Sequence, residues 1–187
     1  MAANEARVRS FPPALGRQPR ALVLGSMPGV ASLRAGEYYA HPRNAFWPLM
    51  QSLFGVPADA PYGQRVAQLN ECGIGLWDVL AECERPGSLD AAIAPDSIRV
   101  NPIAALIDAH PCLRVIALNG GAAARLFDRY VAPSLDRTDD GLVVLRLPST
   151  SPAHAARSFA QKQESWRALA RAVGGVERRA AASRTCA

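Results

Sequence analysis

Two short apolar runs constrain this chain more than any other feature. Ala21-Leu22-Val23-Leu24 breaks into Gly25-Ser26-Met27-Pro28-Gly29, and Leu142 to Leu147 breaks into Pro148-Ser149-Thr150-Ser151-Pro152. Short apolar runs bounded by turn residues read as buried strands. Two more lie between them, Gly73 to Leu80 and Arg114 to Leu118. Helical patterns fill the intervals. Phe46, Trp47, Met50, Leu53 and Phe54 form one stripe of a helix over Arg43 to Phe54, ended by Gly55. Further helices are expected over Pro61 to Cys72, Asn101 to His110, Ala122 to Tyr130, and Ala155 to Val173, the last closed by Gly174-Gly175. Strands separated by helices imply βαβ units. The expected fold is therefore α/β, a three-layer α/β/α sandwich around a central, mostly parallel four-stranded sheet.

The domain reading follows from the same pattern. Residues 1–19, with Phe11-Pro12-Pro13 and several arginines, read as an extended N-terminal arm. Residues 20–174 read as a single domain, and 175–187 as a basic tail expected to be disordered. Asp139-Asp140-Gly141 is a turn signal ahead of the last strand. At 187 residues the chain has room for one domain with a sizeable core.

Composition narrows the function classes. No apolar run approaches the roughly 20 residues of a membrane helix, and no secretory h-region follows Met1, so a cytoplasmic location and no membrane contact are expected. The formal charge is +5 and the pI about 9.4, with Lys162 the only lysine among 21 basic residues. An arginine-rich surface suits bidentate contact with phosphate, although solubility alone also accounts for it. The four cysteines, Cys72, Cys83, Cys112 and Cys186, are scattered without a CxxC pair. They read as buried hydrophobes or free thiols, so neither a metal nor another cofactor is expected.

In a parallel sheet, ligands bind in loops leaving the carboxyl ends of strands. Candidate site residues gather there. Gly25 and Gly29 permit a close backbone approach beside Ser26 and Met27, but the turn is neither GxxxxGK[ST] nor GxGxxG. Tyr38 to Trp47 combines aromatics with hydrogen-bonding groups. Tyr39 or Phe46 can stack on a base, and Asn44 can present an acceptor and a donor, or simply cap the next helix. Trp47 reads as core. Asp78 and Asn119 end the second and third strands, where an Asp on a buried strand calls for a partner. Ser149, Thr150, Ser151 and Pro152 offer hydroxyls and backbone N–H groups to phosphate, and also a helix cap. His154 is a catalytic candidate beyond that turn, His41 a second beside Asn44, and His110 reads as structural.

These residues carry a resemblance. The chain resembles the uracil-DNA glycosylase superfamily over roughly Ala21 to Ala170, and most closely its hypoxanthine-DNA (deoxyinosine) branch. The blocks are Gly25-Ser26-Met27-Pro28-Gly29, Gly36-Glu37-Tyr38-Tyr39 with His41-Pro42-Arg43-Asn44-Ala45-Phe46-Trp47, Gly73-Ile74-Gly75-Leu76-Trp77-Asp78, Arg85-Pro86-Gly87-Ser88-Leu89-Asp90, Leu118-Asn119-Gly120 and Leu147 to Pro152. The mismatch-specific uracil/thymine glycosylases look similar over the first two.

The resemblance implies a monomeric, cofactor-free repair enzyme acting on double- or single-stranded DNA that contains deaminated bases, hypoxanthine or uracil. It flips the nucleotide out and hydrolyses the N-glycosidic bond. One departure stands out. Most relatives carry Asp or Asn before the Pro of the first block, where this chain has Met27. The resemblance moves the catalytic role to Asn44, with His154 as a hydrogen-bond donor. It gives Ser26, Met27, Tyr39, Asp78 and Asn119 to the base, and Ser149, Thr150, Ser151 and Pro152 to the DNA backbone. No lysine lies in the motifs, which argues against a Schiff-base lyase. Two rivals remain: a Ser/His hydrolase built on Ser26 or Ser151 with His154, and a damaged-DNA-binding protein of this fold without turnover.

Overall fold

A computed structural model describes the backbone of residues 7–135 and 141–185, and the side chains of 7–135 and 141–176. Asp139, Asp140 and Cys186 lie outside the described residues, as do the side chains of Arg178, Arg179 and Arg184. In chain order the elements are β1 (Arg7–Arg9), β2 (Ala21–Gly25), α1 (Val30–Ala35), α2 (Phe46–Phe54), α3 (Tyr62–Glu71), β3 (Ile74–Asp78), β4 (Leu80–Glu84), β5 (Arg99–Val100), α4 (Ile103–Ala109), β6 (Val115–Asn119), α5 (Gly121–Tyr130), β7 (Val143–Leu147) and α6 (Phe159–Thr185).

The central sheet has the order β3-β2-β6-β7, and every neighbouring pair is parallel. Its strands are apolar on both faces because helices cover both. Alternation divides them between two cores. Ala21, Val23, Leu76, Val115 and Ala117 pack with Phe46, Met50, Leu69 and Trp166 from α2, α3 and α6. Leu22, Leu24, Ile116 and Leu118 pack with Ile103, Ile107 and Phe127 from α4 and α5. Each fully buried Val, Leu, Ile, Phe or Met among these contributes roughly 1.5–3 kcal/mol. The three-layer α/β/α sandwich expected from the pattern is the fold observed.

Three features depart from expectation. The run Gly73 to Leu80 is not one strand, because after Asp78 the chain leaves the parallel sheet and β4 joins a second sheet, β1-β4-β5. Asn101 Nδ2 donates to the carbonyls of Asp78 (2.9 Å) and Leu80 (3.1 Å), holding that bend from inside. Second, the arm is tied into the domain from Arg7 onward. β1 pairs antiparallel with β4, Ala14 bridges Leu76, and Trp77 Nε1 donates to the Phe11 carbonyl at 3.0 Å. Third, α6 passes through Gly174-Gly175 and runs to Thr185, over most of the segment expected as a disordered tail. Each glycine costs a helix about 1 kcal/mol relative to Ala; the Ala, Arg and Glu that follow are strong helix formers. No helix among the described residues is long and apolar enough to cross a membrane.

Candidate active site

The sheet winds outward from β2 to β3 on one side and through β6 to β7 on the other. Such a reversal leaves a crevice at the carboxyl ends of the two central strands. A cleft of about 430 Å³ opens there. Gly25, Asp78 and Asn119, the last residues of β2, β3 and β6, all line it.

Asp78 sits at its inner end, 3 % exposed. A β-carbon on Gly25 would lie 2.5 Å from Asp78 Oδ1 and 3.7 Å from the Tyr39 hydroxyl, so only glycine permits this approach. Burial pushes the Asp78 carboxyl from 3.8 up to about 8; the Tyr38 hydroxyl and Arg85 oppose the rise and Asp90 adds to it. Asp78 Oδ2 and the Tyr39 hydroxyl are both buried without a hydrogen-bond partner in the protein. Tyr39 adopts φ 58°, unusual for a non-glycine residue, and its ring stacks on Phe46 with centroids 3.9 Å apart. Burial, then the Asp78 charge, push its hydroxyl well above the usual tyrosine range, while neighbouring Asn119 opposes. Phe46 is fully buried, which leaves Tyr38 and Tyr39 as the aromatics lining the cleft, Tyr39 the less buried of the two.

Asn44 lies where the aromatic segment enters α2. Its Oδ1 accepts the Phe46 N–H at 3.0 Å, a local turn bond made from the residue before the helix cap, Ala45, and the amide NH2 is the end it offers to the cleft. His41 Nδ1 accepts the Arg43 N–H at 3.1 Å, which places the neutral ring's proton on Nε2. His41 lines the cleft. His154 does not; it lines a neighbouring depression with Gly120, Pro148 and Arg157.

Two loops form the walls. In the first, Ser26 Oγ donates to Asp90 Oδ1 at 2.7 Å, and Met27, 6 % exposed, packs into the core beside Trp77. Arg85, 1 % exposed, donates to the carbonyls of Met27, Pro28 and Gly87. In the second, Thr150 is 1 % exposed. Its N–H donates to Asn119 Oδ1 (2.9 Å), and Asn119 Nδ2 donates to its hydroxyl (3.0 Å). The Thr150 carbonyl also accepts the Ala45 N–H at 3.0 Å, next to Asn44. Thr150 and Asn119 both line the cleft, and their side chains also brace the loop, because these polar groups need partners once buried. Ser149, Ser151 and Pro152 line the cleft. Gly120, at φ +101°, lets Ser149 close in, since a β-carbon there would stand 2.8 Å from Ser149 Cβ.

Neither serine of the hydrolase rival meets a histidine: Ser26 is bonded to Asp90, and Ser151 Oγ accepts the Ala153 N–H at 3.2 Å. No group of three or more metal-ligating side chains occurs among the described residues. Sequence reasoning singled out no residue of the segment Arg85 to Asp90 for the site. The available signal was that this segment is one of the blocks carrying the resemblance; the burial of Arg85 is what gives it a place at the site.

Comparison with known proteins agrees with this geometry. A profile of the uracil DNA glycosylase superfamily matches residues 12–170. Two curated relatives are both named hypoxanthine DNA glycosylase. One, from Methanosarcina acetivorans, is 35% identical over 165 residues, spanning 87% of this chain and 98% of its own length. The other, from Methanosarcina barkeri, is 37% identical over 113 residues, 60% of this chain and 70% of its own. A solution NMR structure from Methanosarcina acetivorans, described as a candidate uracil DNA glycosylase, superposes with a TM-score of 0.74 at 31% identity, covering 90% of this chain and 99% of its own. The chain belongs to the uracil DNA glycosylase superfamily. The resemblance read from its motifs is borne out.

Proposed function

We propose that the protein excises hypoxanthine, and related deaminated bases, from DNA as a monofunctional, monomeric glycosylase. The observation that carries this reading is the pair of buried, unpartnered polar atoms, Asp78 Oδ2 and the Tyr39 hydroxyl, in a cleft of about 430 Å³, room enough for a base. The two relatives named for hypoxanthine support the substrate class.

The chemistry follows from the groups present. The target nucleotide leaves the stack, at a cost of a few kcal/mol that is lower for a mispaired base. Its base enters beside Tyr39. Deamination leaves a ring N–H next to a carbonyl, and a neutral carboxyl offers the matching acceptor and donor. Asp78, with its value raised to about 8, supplies that neutral form near pH 7. The C1′–N bond then breaks, its electron pair departing with the base and positive charge developing on the sugar. Asn44 is no base; its amide orients the water that adds to C1′ and stabilises developing charge, and the proton that this water releases ends on the departing base, which left with the bonding pair. Ser149 and Ser151 meet the flanking phosphates, with Arg43 at the rim adding salt-dependent affinity. No lysine lines the cleft, which supports hydrolysis over lyase chemistry.

The test is cleavage of duplexes carrying inosine, uracil, xanthine or thymine, with alkali to reveal abasic sites. Inosine is expected to be processed first. Asn44→Ala should lose about 100-fold or more in single-turnover rate while retaining DNA binding. Asp78→Asn, which keeps one donor and one acceptor, should retain activity and hold it above pH 8, where the wild type declines. Saturable binding with no product from any substrate would establish the non-catalytic alternative.

A further inference from the structure

On the glycosylase reading, on which this inference rests, Asp78 works as a neutral acid, so the groups facing its carboxyl decide the pH range of the site. Arg85 and the Tyr38 hydroxyl favour its charged form, and Asp90 disfavours it. Tyr39 and Tyr62 feel its charge from the aromatic segment and from α3, and His41 and Arg43 line the same cleft. Arg85 is already committed to the carbonyls of Met27, Pro28 and Gly87.

Tyr38 is held everywhere except at its hydroxyl. Its N–H donates to the Tyr62 hydroxyl at 3.1 Å, and its carbonyl accepts the Trp47 Nε1–H at 3.1 Å. Its ring meets Phe11 edge-on, with centroids 5.2 Å apart. The Phe11 carbonyl is fixed in turn by Nε1 of Trp77, the residue before Asp78, and Ala14 bridges Leu76. The hydroxyl reaches the Pro12 carbonyl only at 3.5 Å, longer than an O–H···O bond prefers. Burial, then the Asp78 charge, push it far above the ordinary tyrosine range, so it stays a donor. A firmly held ring thus carries a loosely engaged O–H beside two acceptors, a main-chain carbonyl of the arm and the Asp78 carboxyl.

We propose that Tyr38 is a positioning residue acting through Asp78: its hydroxyl turns from the Pro12 carbonyl to the carboxyl as Asp78 ionises, and so sets the pH above which the cleft no longer receives its base. The arm from Phe11 to Ala14 is then part of the site, because it holds the ring where the hydroxyl can serve either acceptor.

Tyr38→Phe deletes the oxygen and keeps the ring. Without that donor the carboxylate is less favoured, so the alkaline decline of single-turnover inosine excision should move up by about one pH unit. Unfolding measured from pH 4 to 10 reads the same titration without DNA. The folded variant keeps its proton to higher pH, so the point at which stability stops falling should also rise by about one unit. Tyr62→Phe removes a neighbouring hydroxyl that faces main chain, and should move neither midpoint. In the Asp78→Asn background, Tyr38→Phe should add no pH shift. Midpoints unmoved by Tyr38→Phe, or moved equally by Tyr62→Phe, would overturn the proposal. If the wild type cleaves no inosine, the glycosylase reading falls, while the unfolding titration still decides whether Tyr38 governs Asp78.

Discussion

The two walls of the cleft are braced in different currencies. The Gly25–Gly29 wall is held by an ionised group, the buried Arg85 guanidinium, which satisfies carbonyls of Met27, Pro28 and Gly87 and lies 3.8 Å from Asp90. The Ser149–Pro152 wall is held by neutral groups: the reciprocal Asn119–Thr150 pair, and Trp166 Nε1 donating to the Pro148 carbonyl at 3.0 Å. A buried charge is worth little as a net gain yet costs a great deal to strip of its partners or to remove from them. Neutral hydrogen bonds contribute modestly and fail modestly. The first wall is thus rigid but brittle, and the second is tolerant.

The sharpest way to break this contrast is Arg85→Met. It should destabilise by about 3–5 kcal/mol, since several buried carbonyls lose their donor at once; chemical denaturation reads it. A loss under about 1 kcal/mol would mean water replaces the guanidinium.

Next comes the acid between the walls. The folded-state value of Asp78, about 8, lies above its ordinary 3.8. The folded protein thus keeps a proton that the unfolded chain releases, and stability falls as pH rises across that window, then levels above about 8. Asp78→Asn should flatten that slope in unfolding measured from pH 4 to 9.

Asn119→Ala should cost about 1–3 kcal/mol by the same denaturation measurement, because the buried Thr150 N–H and hydroxyl both lose their hydrogen bonds to Asn119.

How much of this was legible beforehand depends on distance along the chain. The central sheet was readable because its strands are apolar on both faces and the turns after them are explicit. The second sheet was not: β1 is Arg-Val-Arg, β5 is two residues, and β4 follows β3 after Val79 alone, so one apolar run concealed a change of sheet. The short helix α1 carries no periodicity long enough to register. At the site, Asn44, Tyr39 and Asp78 were legible because polar residues stood where strands or loops end. Arg85 and the inward-facing Thr150 were not, since their burial arises from contacts more than thirty residues away.

Gly25 has a consequence of an evolutionary kind. The innermost surface of the cleft is main chain, hydrogen-bonded in a parallel sheet and unable to accept even a methyl group without colliding with Asp78. On the proposed reading, exchanging Tyr39 would alter what a base meets at the wall, while the ends of the strands beneath it stay where the sheet holds them. A lineage built on this floor would then change its base preference at the walls and keep Gly25 and Asp78 as a fitted pair.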